Sequence, residues 1–121
     1  MEYHPARSHV RWDKPVVVLT NRSCFSAAND FTCAMKQLPQ VRVAGARTGG
    51  GGGLPFSAQL PCGWKVRFSA CPMTDAAGRE IESGIDPSPG CEVHAPDYEL
   101  AAGRDAILEF AINLLNKRTL L

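Results

Sequence analysis

The stretch Pro15-Val16-Val17-Val18-Leu19-Thr20 constrains this chain more than any other. A β-branched run this short, with no polar interruption, reads as a strand buried on both faces of a parallel sheet. Downstream, Ala27, Phe31, Ala34, Met35 and Leu38 recur at helical spacing until Pro39 ends the pattern. Between the two lies only Asn21-Arg22-Ser23-Cys24-Phe25-Ser26, so a strand turns almost directly into a helix. The first-turn N–H groups of such a helix are unpaired and point towards negative charge, which suits an oxyanion. Ser26 stands at that junction and is the candidate nucleophile. The competing reading makes Ser26 a helix cap, with Asn29 completing a loose capping box.

A second strand is expected at Val41-Arg42-Val43-Ala44-Gly45, followed by Ala46-Arg47-Thr48 and five glycines, Gly49 to Gly53. No Lys-Ser or Lys-Thr follows the glycines and the run leads into Leu54-Pro55, which excludes a phosphate-binding loop. Glycine permits close backbone approach, so the run either passes near the nucleophile and lines a peptide cleft or is a flexible surface connector. Phe56-Ser57-Ala58-Gln59-Leu60 and Trp64-Lys65-Val66-Arg67-Phe68-Ser69-Ala70 read as a β-hairpin with Trp64, Val66, Phe68 and Ala70 on its buried face. A second hairpin is suggested by Pro72 to Asp75, the turn Ala76-Ala77-Gly78, and Arg79 to Glu82. Asp86-Pro87-Ser88-Pro89-Gly90 can continue neither strand nor helix. A last helix is expected from about Gly103 to Lys117, with Ile107, Leu108, Ala111, Ile112, Leu114 and Leu115 as its apolar face.

With 45% hydrophobic and 21% charged residues over 121 positions, the composition fits one small α/β unit. A formal charge of +1 gives no reason to expect nucleic acid. No apolar stretch is long enough to span a bilayer, and the N-terminus lacks a signal-peptide core. Five cysteines, Cys24, Cys33, Cys62, Cys71 and Cys91, contain no Cys-x-x-Cys pair, so neither a metal nor another cofactor is implied. Cys33 reads as a packed thiol. Cys24, two residues before Ser26, is an alternative nucleophile because helix N-termini stabilise thiolates.

Five segments in this order, Lys14 to Asn21, Phe25 to Asp30, Val43 to Gly50, Arg79 to Pro87 and Gly103 to Glu109, resemble the tail-specific (C-terminal processing) serine proteases. The resemblance covers the chain from about Lys14 to the end and implies a crotonase/ClpP-like ββα protease core, with a mixed sheet, a nucleophile helix and a C-terminal helix. Relatives are several hundred residues long, so residues 14–121 are expected to be the C-terminal part of the catalytic domain, after a polar lead-in over residues 1–13. The resemblance further implies an extracytoplasmic parent protein, periplasmic, envelope-bound or secreted.

Two catalytic arrangements occur in that family. One is a Ser/Lys dyad with its lysine in a Thr-x-Gly-Lys-Gly segment; here Thr48-Gly49-Gly50-Gly51-Gly52 puts glycine at the lysine position. The other, as in the tricorn core, uses a histidine from the earlier part of the core with a supporting glutamate and serine, because a serine hydroxyl needs a base to become nucleophilic. The resemblance then implies Ser26 as nucleophile, the Ala27 N–H as one oxyanion donor, Glu82 as supporting acid and Ser83 beside it, with the histidine and a second oxyanion donor upstream. His4, His9 and His94 read as solvated side chains rather than as that base. The expected partner is a peptide or protein substrate. The alternatives are a non-catalytic ligand- or peptide-binding module on the same fold, or a structural fragment inactive by itself and prone to self-association through surfaces it leaves open.

Overall fold

The computed structural model describes residues 12–119, so His4 and His9 lie outside the described residues. Along the chain run β1 (Val16–Thr20), α1 (Ala27–Lys36), β2 (Val41–Gly45), β3 (Pro55–Gln59), β4 (Lys65–Ser69), α2 (Asp97–Ala101) and α3 (Ala106–Thr119). β1 and β2 pair in parallel from Val16 opposite Val41 to Thr20 opposite Gly45. A parallel pair needs a crossover, which α1 supplies. Beyond β2, a bridge joins Gly45 to Glu92. Both α1 and α3 pack on the pair, and Val43 and Ala44 are fully buried beneath them.

β1 is less enclosed than its composition suggests. Val16 to Val18 are half-buried and Leu19 is exposed, because β2 is the one strand beside β1 among the described residues. α1 also differs from the apolar pattern: it buries Asn29, Thr32 and Cys33, whereas Phe31 and Leu38 are exposed. The polar residues are buried because their hydrogen bonds are satisfied. Thr32 Oγ1 donates to the Ala28 carbonyl at 2.8 Å and Asn29 Nδ2 to the Ile81 carbonyl at 3.0 Å. α3 starts at Ala106 rather than Gly103, with the Asp105 carboxylate accepting the Leu108 N–H. The short α2 was not anticipated.

β3 and β4 form a separate antiparallel ribbon, Phe56 opposite Phe68 and Ser57 opposite Arg67. The expected buried face is not buried. Trp64, Phe56 and Phe68 are exposed, the last two in contact across the strands, because no other strand or helix covers the ribbon among the described residues. The second hairpin shrinks to a turn with one bridge, Thr74 to Glu80, in which the Asp75 carboxylate accepts the N–H groups of Ala77 and Arg79 and the Arg79 guanidinium.

A small core of Cys33, Ile81, Ile85 and Met73 joins α1 to the 81–85 segment. A buried polar chain runs alongside it. Thr48 Oγ1 donates to Asn29 Oδ1 at 2.6 Å and accepts the Ile85 N–H at 2.7 Å, while the Thr48 N–H bonds the Ile85 carbonyl. Outside it, Arg47 Nη1 donates to both carboxylate oxygens of Asp86, while Nε and Nη2 hold the Ser83 carbonyl and hydroxyl. Thr48→Val keeps the side-chain volume but strands Asn29 Oδ1 and the Ile85 N–H, so urea denaturation should show a loss of about 1–3 kcal/mol. A stability equal to that of the native chain would contradict this account.

Candidate active site

Ser26 adopts φ 57° and ψ −122°, and it is the one non-glycine residue with positive φ among the described residues. Such a conformation costs about 1–3 kcal/mol and persists only where surrounding bonds over-determine it. Here they do. The Ser26 N–H bonds the Gly50 carbonyl at 2.8 Å, and the Ser26 carbonyl accepts from Asn29 N–H at 2.8 Å and Asp30 N–H at 3.1 Å. One step earlier, the Gly49 N–H bonds the Cys24 carbonyl, and Phe25 and Gly50 form a parallel bridge. The Ser26 side chain makes no capping bond. This corrects the capping-box alternative: Asn29, its supposed partner, faces inward to Thr48 and Ile81.

Ser26 is exposed and lines an open groove of about 360 Å³ with Phe25, Gly51, Gly53, Pro55, Arg67, Phe68 and Ser69. The Ala27 N–H, at the first position of α1, has no hydrogen-bond partner among the described residues, and it carries the positive end of the helix dipole.

The glycine run is a packed wall of this groove, not a flexible connector: Gly50, Gly52 and Gly53 are buried. At Gly50 a Cβ would collide with the Glu82 carbonyl, and at Gly51 with the ring of Phe25. A side chain at Gly51 would have to push aside the exposed ring of Phe25. No lysine lines the groove.

Glu82 lies behind this wall rather than on the groove surface. Its carboxylate accepts the Ser69 hydroxyl at 2.5 Å and the Gly53 N–H at 2.8 Å, while its carbonyl accepts the Gly51 N–H at 2.9 Å. The Ser69 hydroxyl, with the Gly53 and Gly52 N–H groups, holds the carboxyl below the ordinary glutamate range. Ser83, by contrast, is engaged by Arg47 and does not line the groove. His94 and Cys24 line a different recess of about 440 Å³, at the C-terminal end of β1 beside Leu19, Ile107 and Leu100. The structure thus brings Ser26, Ala27 and Glu82 around one wall and leaves Ser83, His94 and Cys24 elsewhere. All five cysteines are free thiols, and burial pushes the Cys33 thiol up. Two further contributors, Ser69 and Phe25, went unremarked in the sequence because a strand serine and an aromatic next to a serine carry no distinctive spacing.

The profile of peptidase family S41 matches residues 1–89, a span that includes Ser26, the glycine run and Glu82. The chain belongs to peptidase family S41. Among solved structures, this S41 chain is similar to one from Parabacteroides merdae, provisionally described as a peptidase, at 53% identity and a TM-score of 0.82, covering 92% of this chain and 34% of that one. Structures of mature CPAF, alone and complexed with lactacystin, share the fold at 24% identity and a TM-score of 0.65, over 94% of this chain and 21% of theirs. An uncharacterized protein of Chlamydia muridarum is 31% identical over 91 residues, and a protein of Chlamydia trachomatis is 30% identical over the same length. The S41 chain spans 15% of the length of these two relatives and 34% of the Parabacteroides merdae structure. No helix among the described residues is long and apolar enough to cross a membrane.

Replacing Ser26 by glycine removes the strain at positive φ, whereas alanine keeps it. Chemical denaturation should place Ser26→Gly about 1 kcal/mol above Ser26→Ala; equal stabilities would mean that the backbone there is relaxed. Glu82 makes a second prediction. Its carboxyl is depressed in the folded chain, so its stabilising effect is present above the ordinary glutamate range and is lost as pH falls through the lower folded value. Asp75, depressed mainly by its hydrogen bond from the Arg79 N–H, acts in the same direction. Glu82→Gln should therefore flatten, without abolishing, the acid fall in melting temperature relative to the native chain.

Proposed function

We propose that this chain carries the nucleophile half of a serine-type endopeptidase site. In this reading Ser26 attacks a peptide carbonyl, the Ala27 N–H helps hold the tetrahedral oxyanion, and an acyl-enzyme on Ser26 is then hydrolysed. The observation that carries it is the strained, exposed serine at a strand-to-helix turn, directly before an unpaired first-turn N–H. A sharp turn of this kind presents the hydroxyl outwards, as a nucleophile requires.

Glu82 acts in this reading as the supporting acid by bracing the groove wall through Gly53 and Ser69, with Ser83 reserved for the Arg47 contact. The general base is a histidine, as in the tricorn-type arrangement, supplied together with a second oxyanion donor by the part of the S41 core outside the span matched here. Glycine at position 51, with no lysine in the groove lining, speaks against a lysine base. The chain then corresponds to the C-terminal part of a crotonase/ClpP-like core acting on peptide or protein substrates outside the cytoplasm. The exposed outer face of the β3–β4 ribbon is covered by the rest of that core in the longer enzyme, and drives self-association in the chain alone.

Labelling with a fluorophosphonate followed by peptide mapping tests the assignment. The adduct should fall on Ser26 when the chain is extended through the rest of the S41 core, should be absent from Ser26→Ala, and should be at least about 100-fold slower in the chain alone, which lacks the base. Mapping of the adduct to any other residue, Cys24 included, would overturn the nucleophile.

A further inference from the structure

The pleat of β4 puts Lys65, Arg67 and Ser69 on one face of the ribbon and Val66 and Phe68 on the other. Ser69 identifies the faces, because its hydroxyl reaches Glu82 behind the Ser26 groove. The ribbon lends the groove Arg67 and Ser69 from this face and Phe68 from the other. Across the strands Arg67 faces Ser57, and its neighbours on that face, Lys65 and Ser69, stand opposite Gln59 and Pro55. No carboxylate answers it. Arg67 makes no ion pair or side-chain hydrogen bond among the described residues. Of the acids near the glycine wall, Glu82 is held by Ser69 and Gly53 and Asp75 by Arg79, while Asp30 turns a buried, unpartnered carboxylate oxygen towards Gly52. The groove thus pairs an unneutralised guanidinium with the apolar surface of Phe25 and Pro55, next to the strained serine.

We propose that Arg67 is the specificity residue of this groove, binding a carboxylate of the peptide whose backbone lies at Ser26 while Phe25 and Pro55 contact an apolar neighbour of that group. This rests on the assignment of the groove as a peptidase site. A planar guanidinium takes a carboxylate through two parallel N–H bonds, a geometry that a lysine reproduces only in charge. The carboxylate belongs either to an Asp or Glu side chain or to the C-terminus of the peptide. Because the site is open to water, the preference it confers is modest and dependent on salt.

The test is fluorescence anisotropy of leucine-rich peptides bearing an uncharged coumarin, titrated with the 121-residue chain. One set carries a single glutamate walked along the peptide with an amidated C-terminus; its controls carry glutamine, with a free or an amidated C-terminus. The expected result is about fivefold tighter binding of one carboxylate-bearing peptide than of its neutral control at low ionic strength, shrinking as salt is added. Arg67→Ala should abolish the difference, Arg67→Lys retain part of it, and Arg67→Glu transfer the preference to the matching lysine peptide. Preference for a glutamate peptide assigns a side-chain carboxylate, and preference for the free-acid glutamine peptide assigns the chain terminus. Absence of binding, equal affinity for charged and neutral peptides, or a preference that survives in Arg67→Ala would each overturn the proposal. Labelling of Ser26 in the native chain by a small neutral fluorophosphonate reports separately on the nucleophile.

Discussion

Asn29 is fully buried in α1, and its amide must find both a donor and an acceptor away from water. It finds them in Thr48, just past β2, and in the carbonyl of Ile81. Thr48 is in turn paired with both backbone groups of Ile85. Apolar contacts are non-directional and tolerate small slips, but this chain of short polar bonds does not. Three segments far apart in sequence are therefore locked in one relative position. Ser26 lies three residues before Asn29, the glycine run directly follows Thr48, and Glu82 directly follows Ile81. The geometry of the groove follows from where that one amide is held.

The same logic explains why the groove is walled by backbone. Segment 49–53 threads between Ser26 on one side and Glu82 on the other, bonding the first through Gly50 and the second through Gly51 and Gly53. A Cβ at Gly50 has no room in that passage, and one at Gly51 would have to displace the ring of Phe25. The wall thus holds Ser26 at positive φ through main-chain bonds, and Glu82 ties the far side of the wall to the ribbon through Ser69. The ribbon itself is a two-stranded element with both faces open, which is marginal by itself. Its tie to Glu82 connects it to the rest of the molecule, while the Ala70 N–H bond to Leu54 extends its own ladder.

Much of the element order was legible in the residues, since hydrophobic period and the positions of glycine and proline are local signals. The strands at Val16–Thr20 and Val41–Gly45, the helix after Ser26, the β3–β4 ribbon and the final helix all lie where their patterns put them. The S41 kinship was also legible, carried by segments in order rather than by any single motif. Which way those elements face was not. Phe31 and Leu38 recur at helical spacing with the apolar residues of α1 yet are exposed, while Asn29 and Thr32 face inward beside Cys33, the packed thiol that the sequence does indicate. The ribbon likewise leaves Trp64, Phe56 and Phe68 exposed and lends Arg67, Phe68 and Ser69 to the groove.

By itself, then, the sequence determined the strand, the turn and the helix around Ser26, because chain stiffness, β-branching and helix-stopping residues act over a few positions. It also determined that glycine had to fill residues 49–53, without saying whether they would be loose or packed. The tertiary structure decided the strained backbone of Ser26, the packing of the glycine wall, the placing of Glu82 behind it and Arg67 in front, and the separation of Ser83 and His94 from the groove. The first three rest on hydrogen bonds between residues far apart in sequence, Ser26 with Gly50 and Glu82 with Ser69 and Gly53, whose partners carry no local pattern.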